Sequence, residues 1–122
     1  MSGKQARINP KNWEIWQVEL SISSTDAVGH EPKYQRPCIV AVANSFNDMV
    51  TVIPLTSKTS AEAMPYVQKI VKDPGNGLDF DSFAILFNMR SLSFERFKNR
   101  VGRLSKKSIK LLKLRISSYF NL

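Results

Sequence analysis

Apolar residues along this chain follow two spacings, and the change between them comes late. Over residues 13–20 they alternate, with Trp16, Val18 and Leu20 on one side, which predicts a first strand. Residues 21–35 have no apolar period and contain Gly29 and Pro32, so they predict a long polar loop. Loops of that length inside a compact domain are more often functional than short ones. The longest apolar run follows, Cys38-Ile39-Val40-Ala41-Val42-Ala43. A short run rich in β-branched residues predicts a buried strand, here over 36–43. Polar residues 44–48 predict a turn and residues 49–55 a third strand, so the two strands form a hairpin. A polar loop over 56–63 leads to a short strand over 66–71. Asp73-Pro74-Gly75-Asn76-Gly77 is the clearest turn signal, and 82–87 predicts a further strand with Phe83, Ile85 and Phe87 on one side. After Ser105, a good N-cap, Ile109, Leu112, Ile116 and Tyr119 recur at helical spacing, with Leu111 and Phe120 widening the stripe. Short strands followed by one helix predict a mainly β fold: a small barrel of strongly bent antiparallel strands with a C-terminal α-helix.

Length and composition fit that picture. At 122 residues the chain is read as a single domain over 1–122, with 1–11 as a flexible N-terminal extension. Its 43% apolar and 10% aromatic content suits a folded core and argues against disorder. The polar first ten residues predict no signal peptide, and no apolar run approaches the ~20 residues of a membrane helix. Cys38, the only cysteine, falls in the apolar run and reads as a buried, reduced thiol in a cytosolic protein. One Cys and one His exclude a standard zinc site.

Charge adds a direction. Residues 1–95 carry nine Lys/Arg against ten Asp/Glu, whereas 96–122 carry nine Lys/Arg and no acid. A cationic end of this kind suits a polyanionic partner, although a solvated basic helix face is the plainer reading. Arg96, Lys98, Arg100 and Arg103 precede the helix with Phe94 and Phe97 among them. Cations can track a nucleic-acid backbone while aromatics stack bases. At this spacing the phenylalanines read first as core.

Candidate chemistry gathers where the polar loop meets the apolar run: Gly29-His30-Glu31, then Arg36-Pro37-Cys38. A proton-transfer side chain, a carboxylate and a permanently charged guanidinium are the groups phosphate-ester chemistry needs. Arg36 is the leading candidate, because its planar fork matches phosphate and stays charged. For the base, an imidazole near about 6.5 suits neutral pH better than a carboxylate near about 4.3. His30 and Glu31 both remain candidates.

Taken in order, these segments resemble the MazF/PemK family of toxin endoribonucleases over nearly the whole chain. Glu14-Ile15-Trp16-Gln17-Val18 is similar to the family's first strand, and Gly29-His30-Glu31 with Arg36-Pro37 to its signature loop and second strand. Val52-Ile53-Pro54-Leu55-Thr56-Ser57 resembles the third strand and the Thr-Ser after it. Gly77-Leu78-Asp79-Phe80-Asp81-Ser82, Arg90-Ser91-Leu92 and Arg100-Val101-Gly102-Arg103-Leu104-Ser105 resemble later segments. The resemblance implies a homodimer of SH3-like barrels that cleaves single-stranded RNA without a metal or cofactor. The implied route is attack of the ribose 2′-hydroxyl, leaving 2′,3′-cyclic phosphate and 5′-hydroxyl ends. It also implies inhibition by a cognate acidic antitoxin and a cytoplasmic setting. Arg36, Thr56, Glu31 and His30 become the catalytic candidates, and Ser57, Asn88, Arg90 and Lys33 the RNA-binding ones.

Two positions depart from the family pattern. Trp13 stands where the family usually has Gly before the first strand. Phe87-Asn88 stands where many members have an acid and then Gln. Phe87 suggests one alternative to cleavage, an inactive RNA-binding barrel; another is a non-catalytic inhibitor on the same barrel, like the CcdB toxins that bind DNA gyrase, which the Arg36-Pro37 and Thr56 match disfavours.

Overall fold

The computed structural model describes residues 9–20, 34–43 and 46–122. Among these residues seven strands run in chain order: β1 (Glu14–Glu19), β2 (Gln35–Ala43), β3 (Met49–Thr56), β4 (Val67–Ile70), β5 (Ser82–Ile85), β6 (Arg90–Ser93) and β7 (Phe97–Arg103). One helix, α1 (Lys106–Phe120), closes the chain. Every strand pairing is antiparallel, in the order β4-β5-β3-β2-β1-β7, with β6 also on β3. The expected mainly β architecture with a C-terminal helix is what the chain forms. The sheet, however, does not close: among the described residues β4 and β7 end the path without pairing to each other.

The bend comes from β3. Residues Met49–Val52 pair with β6, whereas Leu55 and Thr56 pair with β5. Pro54 stands between the two partners, where that ladder is already interrupted, so its missing N–H does little harm inside a central strand. Register shifts between Val40 and Val42 on β2 and at two points on the β1–β7 ladder add further twist.

Both faces of the central strands are covered. Ile15, Ile39, Ile53 and Leu55 point to one side and pack with Ile70, Leu86, Leu104 and Leu112 of α1. Trp16, Val18, Cys38, Val40 and Val52 point to the other, where β6 and β7 supply Leu92 and Phe97. Cys38–Val40 is buried on both sides and so does not alternate, whereas Val42 at the far end of the same apolar run is exposed. The Cys38 thiol lies fully buried, and burial pushes it up to about 12 despite the nearby charges of Arg36 and Arg90.

Several boundaries move from the sequence expectation. The polar stretch after β3 contains a short 3-10 turn over Thr59–Ala63. The strand expected over 82–87 stops at Ile85, because Leu86–Asn88 winds into another 3-10 turn. The basic segment before the helix is itself β6, a 3-10 turn and β7. Phe97 packs edge-on against Trp16 at 5.8 Å and Phe94 stacks on Phe97 at 5.8 Å, so these rings belong to the second core. Ser105 caps α1 by accepting a hydrogen bond from the Ser108 N–H at 3.1 Å. Leu112 is the helix residue that is fully buried, flanked by half-buried Ile109, Ile116 and Tyr119. Leu111 and Phe120, expected to widen the stripe, are exposed.

Trp13 enters β1 with φ 74°, a left-handed backbone that an L-residue adopts at a cost of roughly 1–2 kcal/mol. The site where the resemblance expects Gly thus keeps a glycine-like backbone. Trp13 is held by its N–H donating to Val40 O at 2.7 Å and by its carbonyl accepting from Leu104 N at 2.9 Å. Gly102 permits another close approach, since a Cβ there would lie 2.4 Å from the Asn76 backbone.

Candidate functional site

Antiparallel pairing brings the start of β2 beside the end of β3. The register pairs Cys38 with Pro54, and beyond that pair Arg36 and Thr56 line the same two cavities. Arg36 has therefore been brought to the sheet's rim by a strand whose next residues, Cys38 to Val40, are fully buried. Its Nη1 donates to Leu55 O at 3.5 Å, its Nε donates to the Tyr34 hydroxyl, and its guanidinium carbon lies 4.8 Å from the centre of the Tyr34 ring. Tyr34 is itself fixed, because its carbonyl accepts from Leu20 N at 2.7 Å. Among the described residues no carboxylate pairs with Arg36, and the groups that hold its guanidinium, Tyr34 and Leu55 O, are neutral.

Thr56 is largely buried, and its hydroxyl oxygen accepts from Lys58 N at 3.2 Å. That contact fixes the rotamer while leaving the hydroxyl proton free to donate outward. The Arg36–Thr56 rim separates two cavities. One, of about 360 Å³, is lined by Arg36, Thr56, Lys58, Asn88 and Arg90 among others. The other, of about 270 Å³, shares Tyr34, Arg36, Leu55 and Thr56 with the first and continues to Ser57, Asp79 and Phe80. Three cations and no carboxylate line the first cavity among the described residues, whereas the second holds Arg36 and Asp79. Arg90 is steadied by its Nη1 donating to Leu20 O at 3.4 Å.

Of the sequence candidates, Arg36, Thr56, Asn88 and Arg90 converge on one cavity and Ser57 lines its neighbour. His30, Glu31 and Lys33 lie outside the described residues. Asn88, rather than the adjacent and exposed Phe87, faces the first cavity. The basic residues of β7 are held elsewhere: Arg100 Nε donates to Glu14 Oε2 at 2.9 Å, Lys98 pairs with Glu19 at 3.5 Å, and Arg103 donates to Asn12 O at 3.0 Å.

Sequence reasoning missed Tyr34 and Lys58. Each stands two residues from a candidate it now assists, the spacing that puts side chains on one face of an extended chain. That signal was present in the sequence.

The family model described as PemK-like, MazF-like toxin of type II toxin–antitoxin system matches residues 11–120. Endoribonuclease MazF9 of Mycobacterium tuberculosis (strain ATCC 25618 / H37Rv) is 33% identical over 100 residues, spanning 75% of this chain and 80% of that protein. The structure of MazF (Form-I) from Deinococcus radiodurans superposes with a TM-score of 0.72 at 16% identity, covering 95% of this chain and 100% of that one. An endoribonuclease in complex with its cognate antitoxin from a mycobacterial species gives 0.69 at 13% identity, covering 93% and 96%. At such identities the structural likeness speaks for the fold.

Proposed function

The chain belongs to the PemK-like, MazF-like toxin family of type II toxin–antitoxin systems, and from that membership we propose that it is an endoribonuclease cutting single-stranded RNA, mRNA included, at a short sequence motif. The observation that carries the reading is the rim: a positioned guanidinium, with no carboxylate partner among the described residues, sharing a cation-lined cavity with a hydroxyl donor. In the proposed reaction the ribose 2′-oxygen attacks the adjacent phosphorus and the bond to the 5′-oxygen breaks. The products are a 2′,3′-cyclic phosphate and a 5′-hydroxyl. Arg36 stabilises the extra negative charge of the phosphorane, and Thr56 donates a hydrogen bond from its hydroxyl to a non-bridging oxygen. Tyr34 keeps the Arg36 fork in place. Lys58 and Arg90 bind flanking phosphates, while Asn88 and Ser57 are placed to contact bases. His30 or Glu31 removes the 2′-proton, water supplies a proton to the leaving 5′-oxygen, and Lys33 adds a phosphate contact. An internal nucleophile makes the step independent of a metal-bound hydroxide.

The proposed inhibitor is a cognate acidic antitoxin, whose charge complements a chain end with nine cations and no acid. The proposed assembly is a homodimer. It is supported by an apolar groove of about 380 Å³ lined by Trp13, Val42, Ile116, Phe120 and Leu122 among others. An mRNA substrate puts the site of action in the cytoplasm. Among the described residues no helix is long and apolar enough to cross a membrane.

The test is incubation of the purified protein with a long RNA in EDTA, followed by mapping of the ends. Discrete cuts bearing 5′-hydroxyl ends are expected. Binding without cutting, or cutting abolished by EDTA, would overturn the reading.

A further inference from the structure

The two cavities at the Arg36–Thr56 rim differ in charge, and that difference assigns them different parts of an RNA. A phosphate is favoured where Arg36, Lys58 and Arg90 converge. It is disfavoured in the second cavity, where the Asp79 carboxylate faces the same space as Arg36. An RNA strand crossing the rim with a phosphate on Arg36 has the second cavity open to the base on one side of that phosphate.

The walls of that cavity suit a base. Phe80 is 67% exposed, unusual for a large apolar side chain, and it lines the cavity opening. Its position is built into the loop rather than left to chance. Ser82 Oγ donates to Phe80 O at 2.9 Å, and Lys72 N donates to Asp81 Oδ1 at 3.0 Å, tying both flanks of the loop to each other. Asp79, next to Phe80, is exposed, and among the described residues no donor pairs with its carboxylate. A ring for stacking beside an unpaired carboxylate matches one kind of base edge best. Guanine presents two adjacent donors, N1–H and the N2 amine, to the two carboxylate oxygens. Adenine and cytosine present an amine next to an acceptor, and uracil presents one donor between two acceptors.

We propose that the Asp79–Phe80 cavity is a base-selecting subsite that takes a guanine flanking the scissile phosphate, with Phe80 as its stacking platform and Asp79 as its bidentate acceptor. The proposal rests on the RNA-cleavage reading above, since it needs the phosphate at Arg36.

Binding and cutting separate the two ideas. Short oligouridylates carrying one central guanine, inosine, adenine or cytosine are titrated into the full-length protein, and cut sites are mapped separately on a mixed-sequence RNA. The guanine oligomer is expected to bind about tenfold tighter than the inosine oligomer, which lacks only the N2 amine. Asp79→Asn abolishes that difference, and Phe80→Ala weakens all oligomers about tenfold while Phe80→Trp restores them. The mapped cuts of the wild type are expected to be enriched in guanine beside the cut, and those of Asp79→Asn are not. Equal affinity for guanine and inosine in the wild type, or a guanine preference that survives Asp79→Asn, overturns the subsite. Protein that prefers guanine through Asp79 but cuts nothing overturns the cleavage reading and leaves the subsite standing. Protein that cuts without an Asp79-dependent preference does the reverse.

Discussion

Arg36 on β2 and Arg100 on β7 flank the same strand: in the register Arg36 faces Val18 of β1 and Arg100 faces Trp16. They are partnered in opposite ways. Arg100 donates to Glu14, whose buried carboxylate also accepts from Trp16 Nε1 and Lys11 N, both at 2.9 Å. That cluster fastens β1 to β7 and fixes the chain's entry into the sheet. Arg36 has a tyrosine ring and hydroxyl and one long contact to a backbone carbonyl, with cavities on either side. Both residues are arginines on β-strands, so residue type alone does not separate a fold contact from the proposed reactive group. What sets them apart among the described residues is the carboxylate that Arg100 reaches and Arg36 does not.

The largest expected effect tests the fork at the rim. Arg36→Lys keeps the charge but loses bidentate geometry, and should cut RNA about a hundredfold more slowly, since removing one preorganised donor at a developing charge typically costs that much. Initial rates on one defined RNA measure it; a rate within a few-fold of wild type would reduce Arg36 to a point charge. On the other side of β1, Glu14→Gln should leave the rate intact and lower stability by about 2 kcal/mol, as expected for hydrogen bonds to a charged group with one partner partly exposed. Urea unfolding reads that loss.

The long-range geometry explains what was legible. Strand positions from β1 to β5 and the helix follow from spacing, because burial of one face or stripe writes a period into the sequence. β6 and β7 do not: Arg90, Lys98, Arg100 and Arg103 break the apolar pattern, since β6 is held by pairing to β3 and β7 by pairing to β1 and by carboxylates far away in sequence. The open sheet is likewise set by which edges meet, something no local window contains. At the candidate site, Arg36 stood out by its own chemistry, whereas Thr56 became a candidate only through resemblance. Tyr34 required the two-residue spacing to be applied to Arg36. The charge contrast between the two cavities required the fold, because Asp79 and Lys58 approach the rim from different loops.

Acid gives a smaller probe of the same contrast. Burial alone would raise the Glu14 carboxyl, but hydrogen bonds from Trp16, Lys11 and Arg100, with the Arg100 charge, outweigh it and hold the group below its ordinary value of 4.5. Its contribution to stability is therefore full above that value and is lost as pH falls through the lower folded pKa. Unfolding free energy measured across this acid range should fall less steeply in Glu14→Gln than in the wild type; identical slopes would remove Glu14 from the account. The smallest effect concerns Trp13. Trp13→Gly should be more stable than Trp13→Ala by about 1 kcal/mol, because both lose the ring and only glycine relieves the φ of 74°. Thermal melts of the pair decide the sign.

The proposed division, with Arg36 in the chemistry and Arg100 holding the fold, is tested by one reciprocal measurement: RNA cleavage rate and melting temperature for Arg36→Ala and Arg100→Ala side by side. Arg36→Ala should cut at under about one-hundredth of the wild-type rate and melt within about 2 °C of it, while Arg100→Ala should cut at the wild-type rate and melt about 4 °C lower. An Arg36→Ala protein that cuts RNA normally, or an Arg100→Ala protein that keeps its melting temperature and loses cleavage, would contradict it.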